Sequence, residues 1–203
     1  MTHDDKHVSS NDDLAVLKKM AEENGKKVLS FAVVVAIIVF GYIYITQSAK
    51  KKNAEASELL SVATNVQDLE TLVNDYSSTD AASMADFALA KGYYDAGRFD
   101  EAITIYKAFP TKFSKSDLKK AATVGVLFCE EGKGNYDVAL AGFDKFISEN
   151  ADSYLVEQVI FAKARCLKEL GQVEEAKVVY ETFISSNPDS EWIENAELLL
   201  EQM

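Results

Sequence analysis

The sequence predicts an all-α protein: a single transmembrane helix near the N-terminus, followed by helix–turn–helix units stacked into an α-solenoid. Three observations predict it. Residues 28–49 are 22 consecutive positions with no charged side chain. Only two prolines occur in 203 residues, so long helices meet few breakers. Beyond residue 80, small and aromatic residues recur at a spacing of 37, the mark of a repeat architecture.

Composition narrows the function. Apolar residues make up 48% and charged residues 27%, enough to build a core. The net charge of −12 lacks the basic footprint of a nucleic-acid binder. Both histidines, His3 and His7, lie at the extreme N-terminus, so no histidine base or ligand comes from the rest of the chain. Two cysteines are too few for a disulfide-dense scaffold or a four-cysteine zinc site. No metal, cofactor or small-molecule substrate is expected.

Taken in chain order, residues 1–12 (MTHDDKHVSSND) are polar and acidic and read as a disordered tail. His3 and His7 beside Asp4 and Asp5 read as solvated there. Leu14, Leu17 and Met20 recur at helical spacing and predict a short amphipathic helix. The span over 28–49 has its apolar heart at 28–45 (VLSFAVVVAIIVFGYIYI), with Tyr42 and Tyr44 at one end, where an interfacial aromatic belt belongs. Lys26 and Lys27 close one side and Lys50, Lys51 and Lys52 the other. The run is longer and starts later than the apolar stretch of a signal peptide. Lys18, Lys19, Lys26 and Lys27 against Lys50–Lys52 give a weak charge bias toward a cytoplasmic N-terminus.

Residues 50–203 read as a helical domain. A helix is expected over 50–65, as a continuation of the span, and a second over 66–76, with Ser77–Asp80 available to cap the next. Repeats follow at about 81–114, 115–151 and 152–188. Ala102, Ala139 and Ala176 open the second helices; Tyr106, Phe143 and Tyr180 stand four residues on, and Phe109, Phe146 and Phe183 three further. The alanines let paired helices approach, and the aromatics fill the space between units. Gly97, Gly132 and Gly171 are read as the turn glycines, with GKGN at 132–135 making the second turn about two residues longer. A capping helix over 189–203 is expected to start at Asp189 or Ser190, with Trp192, Ile193, Ala196, Leu199 and Leu200 on one face. Cys129 and Cys166 fall about two positions out of register in this alignment, so two buried thiols are expected rather than a disulfide.

These residues resemble the tetratricopeptide repeat. Repeat three matches through Ala164, Leu167, Gly171, Ala176, Tyr180 and Pro188, and repeat one through Leu89, Ala90, Tyr93, Gly97, Ala102 and Tyr106. Repeat two departs, with Gly125 read at the small position and Phe128 at the aromatic one. Such solenoids bind partners, and their first helices usually line a concave groove. Projected onto this sequence, the groove would show Met84, Phe87, Lys91 and Tyr94, then Lys119, Ala122 and Val126, then Gln158, Phe161, Arg165 and Lys168. Its basic groups would suit an acidic or C-terminal carboxylate ligand, while Phe87 and Phe161 read equally well as core. The carboxylate clamp of chaperone-tail binders is not visible.

The order of parts, with AEENGKK (21–27) leading into the span and DLETLVNDYSSTDAASMADFALAKGYYDAGRFDEA at 68–102, resembles the bacterial YfgM family, an ancillary subunit of the SecYEG translocon. That resemblance implies a single-pass inner-membrane protein. Residues 1–27 would be cytoplasmic, and the repeats periplasmic. Its partners would be translocon subunits, periplasmic chaperones or secretory chains. ISSNPDSEWIENAELLLEQ at the C-terminus is similar to BamD-like outer-membrane assembly factors and TolA-binding cell-division coordinators, the alternative reading. No enzyme is implied by either.

Overall fold

The computed structural model describes the backbone of residues 10–203 and most side chains from Lys18 onward. The tail over residues 1–9 with His3 and His7, and the side-chain face of Leu14, Leu17 and Met20, lie outside the described residues. Nine helices and no strand occur among the described residues: α1 (Ser10–Val62), α2 (Val66–Asp75), α3 (Ala82–Asp95), α4 (Phe99–Lys112), α5 (Lys119–Gly132), α6 (Tyr136–Glu149), α7 (Val156–Glu169), α8 (Val173–Ser186) and α9 (Ile193–Glu201). The chain divides into two units, Met1–Lys52 and Asn53–Met203.

In the first unit, large apolar side chains stand exposed around the helix, from Phe31 at 71% to Phe40 at 73% and Ile45 at 67%. Leu29–Val62 is long and apolar enough to cross a membrane, with none of its most apolar window buried. The helix expected over 50–65 is no separate element; it is the end of α1.

The second unit is built on a constant period. First helices begin at Ala82, Lys119 and Val156, and second helices at Phe99, Tyr136 and Val173, each set 37 apart. The alanines opening the second helices, Ala102, Ala139 and Ala176, are all 0% exposed, so the paired backbones touch closely at these points. Tyr106, Phe143 and Tyr180, one turn later, and Phe109, Phe146 and Phe183 after them are all buried. Fully burying an aromatic side chain of this kind contributes roughly 1.5–3 kcal/mol. Leu89, Ala90, Tyr93, Ala164 and Leu167 are buried in the first helices. Leu72 in α2 stands 37 before Phe109 and is also buried, which extends the period one helix toward the N-terminus. Pro188 stands two residues past the end of α8, where it cannot continue the helix.

The turns correct the sequence reading of repeat two. Gly97, Gly134 and Gly171 have φ of 71°, 78° and 78°, a left-handed conformation that glycine adopts at little cost. Each closes a helix in the same way: the next residue's N–H donates five residues back, Arg98 to Tyr93, Asn135 to Glu130 and Gln172 to Leu167. The second turn glycine is therefore Gly134, and the turn is no longer than its neighbours. Gly132 is the last residue of α5, where a Cβ would meet the Phe99 ring at 2.6 Å. With two glycines in GKGN, only the period decides which one turns the chain. The same two-residue displacement applies to Gly125 and Phe128, which are equivalent to Ala88 and Lys91 and not to Ala90 and Tyr93. Cys129 and Cys166 are in register, also correcting the alignment. They are free and buried, and burial pushes their thiols up to about 11 and about 12.

Capping also differs from expectation. Asn65 caps α2 by accepting from the Asp68 N–H at 2.9 Å. No side chain caps α3. Asp80 instead pairs with Asn53, whose amide donates to its carboxylate at 2.8 Å and accepts its backbone N–H at 3.1 Å. Ser190 accepts from the Trp192 N–H at 3.1 Å and so makes a turn ahead of α9. That helix begins 37 residues after α7: it is a further first helix. Glu194, Glu197 and Glu201 are exposed along it, the polar outer face a terminal unit requires.

Candidate partner groove

First helices touch one another along the array, α3 against α5 and α5 against α7, and so share one face. A cavity of about 440 Å³ opens along that face, within the range of about 300–1,000 Å³ usual for ligand pockets. From α3 it receives Phe87, Lys91 and Tyr94; from α5, Ala121, Val124, Gly125 and Phe128; from α7, Gln158, Phe161 and Arg165. Tyr106, Leu155, Trp192 at the start of α9, and the α9 residues Asn195 and Leu199 complete it.

Aromatic packing shapes the floor. Phe87 meets Tyr106 edge-on at 5.5 Å. Phe161 meets Tyr180 at 5.3 Å and Trp192 at 5.0 Å, so the Trp192 ring closes one end. Gly125 makes room for Tyr106: a Cβ there would lie 2.7 Å from the ring. Phe161 is 2% exposed in the core and also lines the cavity, and Phe87 packs on the first core cluster.

The charges are matched inside the groove. Arg165 donates twice to Glu131, from Nε at 2.8 Å and Nη2 at 3.0 Å, tying α7 to α5. Burial alone would push the Arg165 guanidinium down, and the Glu131 carboxylate more than offsets it. Lys91 pairs with Asp95 at 2.5 Å. Both groove cations thus stand beside a carboxylate of the chain itself. Burial pushes the Tyr106 phenol well up, and burial followed by Glu131 raises Tyr94; both remain hydrogen-bond donors at neutral pH. Gln158 and Asn195 are exposed, and among the described residues neither side-chain amide makes a hydrogen bond.

Of the positions projected from sequence, Phe87, Lys91, Tyr94, Gln158, Phe161 and Arg165 come together here. Met84 is 60% exposed and Lys168 exposed, and neither lines the cavity. The repeat-two positions fall elsewhere. Ala122 is buried in the first core cluster and Val126 packs against it, while Lys119 donates to the Ser114 carbonyl at 2.5 Å. The cause is the displaced register. Adding 37 to Met84, Phe87 and Lys91 gives Ala121, Val124 and Phe128, the residues that line the cavity. A further 37 beyond Gln158 gives Asn195, the signal that would have found the α9 contribution.

Residues 18–201 match a family model described as tetratricopeptide repeat-like domain. The chain belongs to this tetratricopeptide repeat-like family. The match includes the apolar stretch as well as the repeats. Solved structures agree in fold. An array of nearly identical TPR-like repeats from Podosopora anserina is similar at a TM-score of 0.56 and 14% identity, over 76% of this chain and 84% of that one. A tetratricopeptide repeat protein from Parabacteroides merdae is similar at 0.52 and 14%, over 76% of this chain and 59% of that one. Comparison with curated protein sequences gave no match. Tetratricopeptide repeat domains generally bind other proteins, and the repeat fold here is an interaction scaffold.

Proposed function

We propose that this tetratricopeptide repeat-like protein is a single-pass, membrane-anchored scaffold ancillary to the Sec translocon. In this reading α1 crosses the bacterial inner membrane with its N-terminus in the cytoplasm. The repeats stand in the periplasm and receive chaperones or emerging secretory chains. The observation that carries the reading is the aromatic groove shared by α3, α5, α7 and α9, in a chain whose other unit holds a wholly exposed apolar helix. The AEENGKK lead-in to that helix and its likeness to the YfgM family supply the translocon assignment.

In vivo photo-crosslinking from Val33, Phe87 and Phe161 tests it. Translocon subunits are expected from Val33, with periplasmic chaperones or secretory chains from the two groove positions. Outer-membrane assembly or division proteins in their place would replace the translocon role with an envelope-assembly or division scaffold. Cytoplasmic partners at Phe87 and Phe161 would overturn the orientation.

A further inference from the structure

Resting on the reading of the groove as the partner site, we propose that its ligand is an extended apolar segment of a protein chain, free of carboxylates and flanked by basic residues. Three observations converge. The cavity is walled mainly by aromatic and aliphatic groups, among them Phe87, Val124, Phe128, Phe161 and Trp192, so the buried part of a ligand must be apolar. Its two cations already stand beside carboxylates: Arg165 holds Glu131 through two hydrogen bonds, and Lys91 pairs with Asp95 at the surface. A ligand carboxylate that took the Arg165 donors now given to Glu131 would strand that group, whose side chain is 15% exposed, and a partly buried charge left unpaired is costly.

The wider field favours cations outside the cavity. Residues 53–203 carry 13 Lys and Arg against 27 Asp and Glu, a net of −14. Along the chain, acidic residues neighbour several lining positions, Asp95 next to Tyr94, Glu157 next to Gln158, and Glu191 and Glu194 next to Trp192 and Asn195, while Lys120 neighbours Ala121. Such a field raises the local concentration of basic segments and repels acidic ones. The extended form follows from Gln158 and Asn195, equivalent positions on α7 and α9 that open on the same cavity. Each amide offers both donor and acceptor to a ligand main chain that has not folded on itself.

The test uses the full chain in nanodiscs of neutral phosphatidylcholine, with empty nanodiscs as reference, and three labelled peptides read by fluorescence anisotropy. The first has a Leu-Phe-Ala-Leu-Phe core between paired lysines. The second has the same core between paired glutamates, and the third keeps the lysines but has serine for both phenylalanines. The first is expected to bind at least tenfold more tightly than either of the others. Glu131→Gln removes the negative charge opposite Arg165 and is expected to narrow the gap to the glutamate peptide at least threefold. Gln158→Arg with Asn195→Arg, at exposed positions that leave the core intact, is expected to weaken the first peptide at least tenfold. Equal or tighter binding of the glutamate or serine peptide would overturn the ligand class and leave the groove reading standing. Absence of binding by all three, with crosslinks still formed from Phe87 and Phe161, would do the same. Tight binding of the first peptide that the arginine pair leaves unchanged would overturn the groove itself as the site.

Discussion

Repeats one and three carry their motif openly, whereas repeat two carries it two residues away from where its letters suggest. Repeat three has one glycine at its turn, and Gly171 takes the left-handed conformation. Repeat two has Gly132 and Gly134, and only Gly134 takes it. Yet all three repeats fold to helices of 14 residues at one period. The period is the stronger constraint because each unit is held by both neighbours. A one-residue slip would turn Phe143 or Val124, both buried at 1% or less, away from the partner helices. Motif letters are local, and the stacking that enforces the period is not.

Substitutions in the two kinds of repeat should separate period from letters, measured by denaturant unfolding of the full chain in detergent. The largest effect is expected at Phe143, equivalent to Tyr106 and Tyr180 and fully buried. Phe143→Ala should cost about 3–5 kcal/mol. Phe128, read from its letters as a core aromatic but half-buried on the groove, should cost clearly less when cut to alanine. Equal losses at the two sites would restore the letter-based register.

Gly125→Ala comes next. Ala88 and Ala162 hold the equivalent position, but here the Tyr106 ring occupies the methyl's place. The change should cost about 1–3 kcal/mol as overpacking, and binding in the groove should weaken with it. Gly134→Ala should cost about 1–2 kcal/mol for the left-handed backbone, matching Gly97→Ala and Gly171→Ala. A silent Gly134→Ala would show that Gly132 turns the chain after all.

Alkaline pH probes a feature repeats two and three share. Cys129 and Cys166 occupy one register position, and burial raises both thiols to about 11 and about 12 from an ordinary 9.0. A raised thiol keeps its full contribution below the unfolded value, and loses it as pH climbs through the folded one. The melting temperature should therefore be insensitive to these groups below about pH 8.5 and fall above it, and Cys129→Ala with Cys166→Ala should flatten that fall. Both thiols should resist maleimide in the folded protein at pH 7 and react once it is unfolded. The smallest effect is expected at Lys91, whose pair with Asp95 is exposed at 61% and 55%. Lys91→Ala should change stability by at most about 0.5 kcal/mol.

The all-helical class, the apolar helix long enough for a membrane, and the alanines and aromatics of the second helices are legible in the residues alone. Each of these is a local matter of composition or of spacing along one helix. The sequence also placed Phe87, Lys91, Tyr94, Gln158, Phe161 and Arg165 on one face, because helical periodicity and the repeat alignment suffice for that. Tertiary structure decided the rest. Which glycine of GKGN turns the chain depends on the 37-residue period that stacking enforces. The groove positions in α5 depend on stacking between α3 and α7. The closing of the groove by Trp192 depends on α9 joining the array as a further first helix. The pairing of Arg165 with Glu131, 34 residues away, decides whether the groove offers a free cation. Contacts between residues a repeat apart are made by packing, and packing is what a single helix's pattern cannot express.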